Sequence, residues 1–105
     1  MILVFDKEYL KELYETGRSS DKKHRFQPQI VVSYQRRIEQ LLAAPNQEFL
    51  YQLRSLHFEA LHGDKDGLYS IRVNLQYRIE FSLSQDYENP IMTICNIVEL
   101  SNHYD

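Results

Sequence analysis

Four side chains in this sequence could share one piece of acid–base chemistry: His62 and Arg78 in its second half, and His103 with Tyr104 near its end. Cleaving RNA through its own 2′-hydroxyl needs a proton acceptor, a proton donor and a cation on the phosphate. Histidine, tyrosine or glutamate can move the proton, and arginine can carry the charge that builds on the phosphate oxygens. Spacing alone does not select this set, because any small protein can supply such residues. A competing set takes His57 and Glu59, two apart and so on one face of a strand, as metal ligands with His62 or His103 as a third. Nothing in the spacing closes a tetrahedral set, and a partly buried strand histidine is the better reading of His57. The sequence contains no Gly-rich phosphate loop, no HExxH and no GxSxG, so no cofactor and no metal is expected.

The elements that must position these groups are readable from periodicity. LHFEAL reads as a first strand, and HGDKDG as a hairpin turn in which Gly63 and Gly67 tolerate positive φ. LYSIRV then alternates, with Tyr69, Ile71 and Val73 on one face and Ser70 and Arg72 on the other. After the short turn NLQ, YRIEFSL alternates again. Tyr77, Ile79, Phe81 and Leu83 point inward, while Arg78, Glu80 and Ser82 point outward. SQDYENP is a loop, and IMTICNIVEL is a long final strand before the tail SNHYD. The outward residues predict a polar second face on the sheet, led by Arg72 and Arg78, and that face is where function is expected. Tyr69 and Tyr77 share the phase of Ile71 and Ile79, which makes them core residues and not platforms for bases.

Upstream, MILVF reads as a strand and Asp6 as the cap of a helix from Lys7 to about Thr16, ended by Gly17. GRSSDKKHRFQ is polar and irregular. Pro28 suits the first turn of a second helix, in which Val31, Tyr34, Ile38, Leu41 and Leu42 recur at helical spacing and Arg36 and Arg37 lie on a basic outer side. Pro45 stops it, and Asn46 caps a short third helix through about Leu53. Helices followed by a run of antiparallel strands predict an α+β fold, with an N-terminal strand and helical hairpin packed on one face of a curled, mainly antiparallel sheet.

A chain of 105 residues favours one domain over residues 1–105, large enough to hold a core without staples. The single cysteine, Cys95, excludes an internal disulfide and lies in an apolar run as a small buried hydrophobe. No segment is apolar and long enough to span a bilayer, so no membrane partner and a cytoplasmic location are expected. The net charge of −3 hides a polarised distribution. Residues 18 to 37 hold Arg18, Lys22, Lys23, Arg25, Arg36 and Arg37 against Asp21 alone, whereas residues 54 to 105 carry four basic and eight acidic side chains. The basic stretch is either a solvated face or an edge that meets phosphate, with Lys22, Lys23, Arg25, Arg36 and Arg37, joined by Lys65 and Arg72, as the RNA-contact candidates.

The run FEALHGDKDGLYSIRVNLQYRIEF resembles the signature of the HigB branch of the RelE/ParE toxin superfamily, also called plasmid maintenance system killer proteins. The matching residues are Leu61, Gly63, Asp64, Lys65, Gly67, Tyr69, Ser70, Ile71, Arg72, Val73, Asn74, Tyr77, Arg78 and Ile79. The order of elements agrees along nearly the whole chain. The resemblance implies the toxin of a type II toxin–antitoxin module, an endoribonuclease (mRNA interferase) that cuts mRNA on the ribosome and so inhibits translation. It also implies a HigA-like helix-turn-helix antitoxin as partner. Arg78 falls on the family's sheet arginine, which holds the scissile phosphate. His62 falls where many members have lysine, and Glu59 where some have histidine. Members often end in Asp-Tyr-His, for which His103 and Tyr104 are the nearest equivalents here, and many are strongly basic, whereas this chain has a sequence pI near 5.8. Two other outcomes are open to this superfamily: a ParE-like gyrase poison, and a catalytically weak module that acts through antitoxin binding and autoregulation.

Overall fold

The computed structural model describes residues 1–102. Strand β1 (Ile2–Phe5) leads into helix α1 (Glu8–Thr16), and an eleven-residue strap connects that helix to α2 (Pro28–Ala43). A short helix α3 (Gln47–Gln52) follows, then β2 (Glu59–Ala60), β3 (Tyr69–Arg72), β4 (Tyr77–Gln85) and β5 (Thr93–Asn102). The strands form one open five-stranded sheet in the order β1-β5-β4-β3-β2. β1 runs parallel to β5, and every other pairing is antiparallel. The expected α+β architecture is the observed one.

Local chemistry explains most boundaries. Gly17 ends α1 in the left-handed region at φ 78°, donating its amide hydrogen to the Leu13 carbonyl. Pro28 opens α2, and the Asn46 side chain caps α3 by accepting from the Phe49 amide. One expected cap is displaced. The Asp6 amide donates to the Ile97 carbonyl, which extends the parallel pairing, so the capping position falls to Lys7, whose side chain caps nothing.

The core lies between the helices and one face of the sheet. Tyr9, Leu10 and Leu13 of α1 and Ile30, Val31, Tyr34, Ile38 and Leu41 of α2 meet Ile71, Ile79, Phe81, Cys95 and Ile97 of the sheet. Leu42, expected on that face, is 41% exposed, because helical rotation carries it past the stripe ending at Leu41. Tyr34 satisfies its buried hydroxyl by donating to the Leu10 carbonyl at 2.7 Å. In β5 the residue Val98 is extra relative to β4: Glu80 faces Glu99, but Phe81 faces Ile97. This bulge resets the alternation, so that Ile97 and Leu100 both reach the core while Glu99 stays on the outer face.

Three expected extents change. The first strand of the LHFEAL run shrinks to Glu59–Ala60, because His57 adopts a left-handed backbone (φ 48°) at the end of a 3₁₀ turn over Arg54–Leu56. The last strand begins at Thr93, since the Met92 amide closes a turn onto the Asn89 carbonyl. The polar strap is structured at Lys22–His24, a 3₁₀ turn capped by Asp21.

Candidate active site

The register of the outer sheet face sets charges in rows. One row crosses the strands as Glu59, Ser70, Glu80 and Glu99, and the adjacent row as Arg72, Arg78 and Ser101. Opposite charges on neighbouring rows can pair diagonally. Arg78 Nη1 lies 3.2 Å from Glu59 Oε1 and donates to Ser70 Oγ at 3.4 Å. Lys65 Nζ reaches Glu80 Oε2 at 2.6 Å, and Lys7 Nζ lies 3.5 Å from Glu99.

This face is polar, as the alternation predicts, but it is not open at its centre. Ser70 is fully buried, and Arg78 and Glu80 are only 9% and 6% exposed. A buried charge is tolerated only when paired, and each of these has its partner. The partners lie further out: the side chains of Glu59 and Lys65 are 53% and 48% exposed. The buried charge is thus reached from solvent through Glu59 and Lys65.

Lys65 comes from the turn that begins at His62. After the extended backbone of His62, Gly63 at φ 68° starts a 3₁₀ turn over Gly63–Lys65, and Gly67 at φ 93° ends the connection. The Leu61 amide then donates to the Leu68 carbonyl and closes the β2–β3 hairpin. The Lys65–Glu80 pair ties this turn to the middle strand, and His62 stands exposed at its entrance. The fold therefore brings Glu59, Lys65 and Arg78 to one side of the sheet, with His62 at the start of the turn that delivers Lys65. β5 ends at Asn102, opposite Tyr77 and beside the Ser101–Arg78 pair. His103 and Tyr104 lie outside the described residues. His57 sits at the end of its 3₁₀ turn and not on the strand with Glu59, which removes the shared face on which a metal pair was considered.

The basic stretch divides in three. Arg36 is exposed on α2. Arg37 is turned inward: its Nε donates to the Arg72 carbonyl at 3.0 Å and its Nη1 to Gln40 at 2.8 Å, pinning α2 to the end of β3. Burial lowers the pKa of Arg37, with Arg36 nearby adding to the effect. Lys22, Lys23 and Arg25 are exposed on the strap, which two aromatic contacts hold in place. His24 stacks on Tyr9 at 3.7 Å and pairs with Asp21 at 2.8 Å, and Phe26 meets Tyr77 edge-on at 5.5 Å. The bond from His24, then that from the Lys23 amide, hold the Asp21 carboxyl below its ordinary pKa. Tyr9 in turn accepts from the Leu100 amide, and burial pushes its hydroxyl up to about 12. Because Tyr77 adjoins Arg78 and Leu100 adjoins Ser101, the strap is anchored at the end of the sheet that carries Arg78. Between the strap and the helices lies a cleft of about 280 Å³, floored by Leu13, Phe26 and Val31 and rimmed by Arg18, Ser19 and Arg25.

Sequence reasoning did not assign Ser70 and Glu80 to the site. Their alternation with Arg78 was visible, but the cross-strand register that joins them was not.

The sequence profile of the HigB-like toxins, described as RelE-like toxins of the type II toxin–antitoxin system HigB, matches residues 3–94. The toxin HigB-1 of Vibrio cholerae is 38% identical over 82 residues, covering 77% of this chain and 82% of that protein. This chain belongs to the HigB-like toxins. Its backbone is similar to a YoeB/ParE toxin from Agrobacterium tumefaciens, with a TM-score of 0.56 at 17% identity over 99% of this chain and 100% of that one. A YoeB–YefM complex from Staphylococcus aureus aligns with a TM-score of 0.49 at 18% identity, over 99% of this chain and 98% of that one. The toxin is therefore a RelE-like α+β protein of a toxin–antitoxin system. Among the described residues no helix is long and apolar enough to cross a membrane.

Proposed function

We propose that this toxin is an mRNA interferase that cuts messenger RNA on the translating ribosome, in the cytoplasm. The observation that carries the reading is the Glu59–Arg78 pair, a 3.2 Å contact between a solvent-reaching carboxylate and a nearly buried guanidinium. In the reaction Glu59 takes the proton of the 2′-hydroxyl, and the 2′-oxygen attacks the adjacent phosphorus. The bond from phosphorus to the 5′-oxygen breaks. That oxygen receives a proton from His62, His103 or Tyr104, leaving a 2′,3′-cyclic phosphate and a 5′-hydroxyl. Arg78, with His62, binds the phosphate, and Arg78 meets the charge that grows on it in the transition state. Arg72 extends the cationic row, and Lys22, Lys23, Arg25 and Arg36 contact the RNA backbone. Lys65 keeps the turn on Glu80, and Arg37 holds α2 on β3. No cofactor takes part.

Binding through these cations releases counterions, so affinity for ribosomes falls steeply as salt rises. Pulse labelling after induction tests the reading: protein synthesis stops first. Early loss of DNA synthesis in its place would assign the toxin to gyrase.

For the strap, the cleft beside it favours a second role. Apolar side chains on its floor and arginines on its rim suit an acidic segment of the antitoxin, a HigA-like helix-turn-helix protein that with the toxin represses their own promoter. Charge reversal at Arg18 and Arg25 weakens antitoxin binding in a pull-down of the co-expressed pair.

A further inference from the structure

We propose that in the free toxin Glu59 occupies the place on Arg78 that a phosphate oxygen takes in the complex, so that substrate binding exchanges one oxyanion for another. The identity of the arriving anion rests on the interferase reading above; the exchange itself is read from the pair.

The two ends of the Glu59–Arg78 contact are held very differently. The Arg78 side chain is 11% exposed, springs from the central strand β4, and is fixed by its bond to Ser70. The Glu59 side chain is 53% exposed and stands on the edge strand β2, whose two residues pair only with Ser70 and Tyr69. Glu59 is therefore the partner that can leave. A guanidinium offers a planar fork of donors that suits carboxylate and phosphate alike, so the two anions compete for the same nitrogen. The neighbouring carboxylates of the row are already committed, Glu80 to Lys65 and Glu99 to Lys7. That leaves Glu59 as the carboxylate resting on the sheet's buried cation. Its displacement does two things in one step. Arg78 passes to the phosphate, and the Glu59 oxygens become free to accept the 2′-hydroxyl proton. The carboxylate is released only when a phosphate has arrived, which ties the proton acceptor to the presence of substrate.

The test is equilibrium binding of an all-2′-deoxy oligonucleotide, which lacks the hydroxyl needed for cleavage, to the intact toxin at fixed salt. Glu59→Gln and Glu59→Ala should each bind about fivefold more tightly than wild type, the scale of a partly exposed ion pair. The gain should vanish in the Glu59→Gln/Arg78→Gln double variant. Unchanged or weaker binding by both Glu59 variants overturns the exchange, as does a gain that survives loss of Arg78 or an absence of binding by every protein. A second readout uses wild type alone. Titration with inorganic phosphate should shift the NMR signals of the Arg78 side chain and the Glu59 carboxyl together, and a shift at Arg78 with Glu59 unmoved overturns the proposal. Turnover separates the two readings. If wild type cleaves no translated mRNA, the interferase reading fails while the binding comparison still decides the exchange. If it does cleave, Glu59→Gln should lower KM and kcat together, whereas a purely structural role would raise KM.

Discussion

At its centre the β3–β4–β5 sheet buries residues on both faces, and it does so by opposite means. Toward the helices, Ile71, Ile79, Phe81, Cys95 and Ile97 are fully buried among apolar neighbours. On the other face, Ser70, Arg78 and Glu80 are nearly as inaccessible, yet they are satisfied by one another and by Glu59 and Lys65. The apolar face gains from area removed from water and is indifferent to direction. The charged face gains little net stability, because desolvation offsets the attraction of its pairs. It holds specific groups in specific places, which is what chemistry on a phosphate requires. The difference teaches that burial alone does not locate the core here; the kind of partner does.

The largest expected effect separates the faces by stability. Phe81→Ala should cost about 3–5 kcal/mol in denaturant unfolding, by lost transfer energy and the cavity left behind. Arg78→Gln should lose about 100-fold in cleavage of translated mRNA, the scale of removing one transition-state donor. Its unfolding free energy should fall by only about 1 kcal/mol, since the abandoned Glu59 is solvated. A loss in Arg78→Gln as large as that in Phe81→Ala would merge the two faces into one structural core. Glu80→Gln should cost about 1 kcal/mol, less than a fully buried pair because Lys65 is half exposed. It should also raise amide exchange across residues 63–65; unchanged exchange there would mean that Glu80 does not hold the turn.

The effect that is smallest at neutral pH is a dependence on alkalinity, and it belongs to the apolar core between α1 and the sheet. Burial pushes the Cys95 thiol up from 9.0 to about 12, and the Tyr9 hydroxyl from 10.0 to about 12. Both groups hold their protons more tightly folded than unfolded. Their contribution is complete below the unfolded values and is lost as pH rises from about 9 toward 12. Unfolding free energy should therefore decline over that window, and the Cys95 thiol should resist alkylation at pH 8 in the native protein. Rapid alkylation of the folded toxin would contradict the packing of β5.

The sequence showed the fold through local signals and hid what depends on distant pairing. Gly17, Pro28 and Asn46 act where their chemistry places them, and the alternation of YRIEFSL put Ile79 and Phe81 inside. The parallel pairing of β1 with β5 joins the two ends of the chain and leaves no local trace. The Val98 bulge was invisible for the same reason, although it decides that both Ile97 and Leu100 are buried. LHFEAL promised a long strand, but the left-handed backbone at His57 shortens it, and positive φ is uncommon outside glycine even though histidine is among the residues that adopt it. At the site, the alternation indicated Arg78 and its face. It could not show that Arg78 and Glu80 are buried, because that follows from Glu59 and Ser70 on the neighbouring strands and from Lys65 in the turn. Arg37 read as a free surface cation, and the structure turns it onto the Arg72 carbonyl.

The most direct test of the central claim is mapping of transcript ends on translated mRNA with purified ribosomes, comparing wild type with folded Arg78→Gln. Cuts within translated codons that require ribosomes, and that fall about 100-fold in the variant, are the predicted result. Cuts of equal intensity from the variant, or no cuts from wild type at all, would contradict a nuclease built on the charged face.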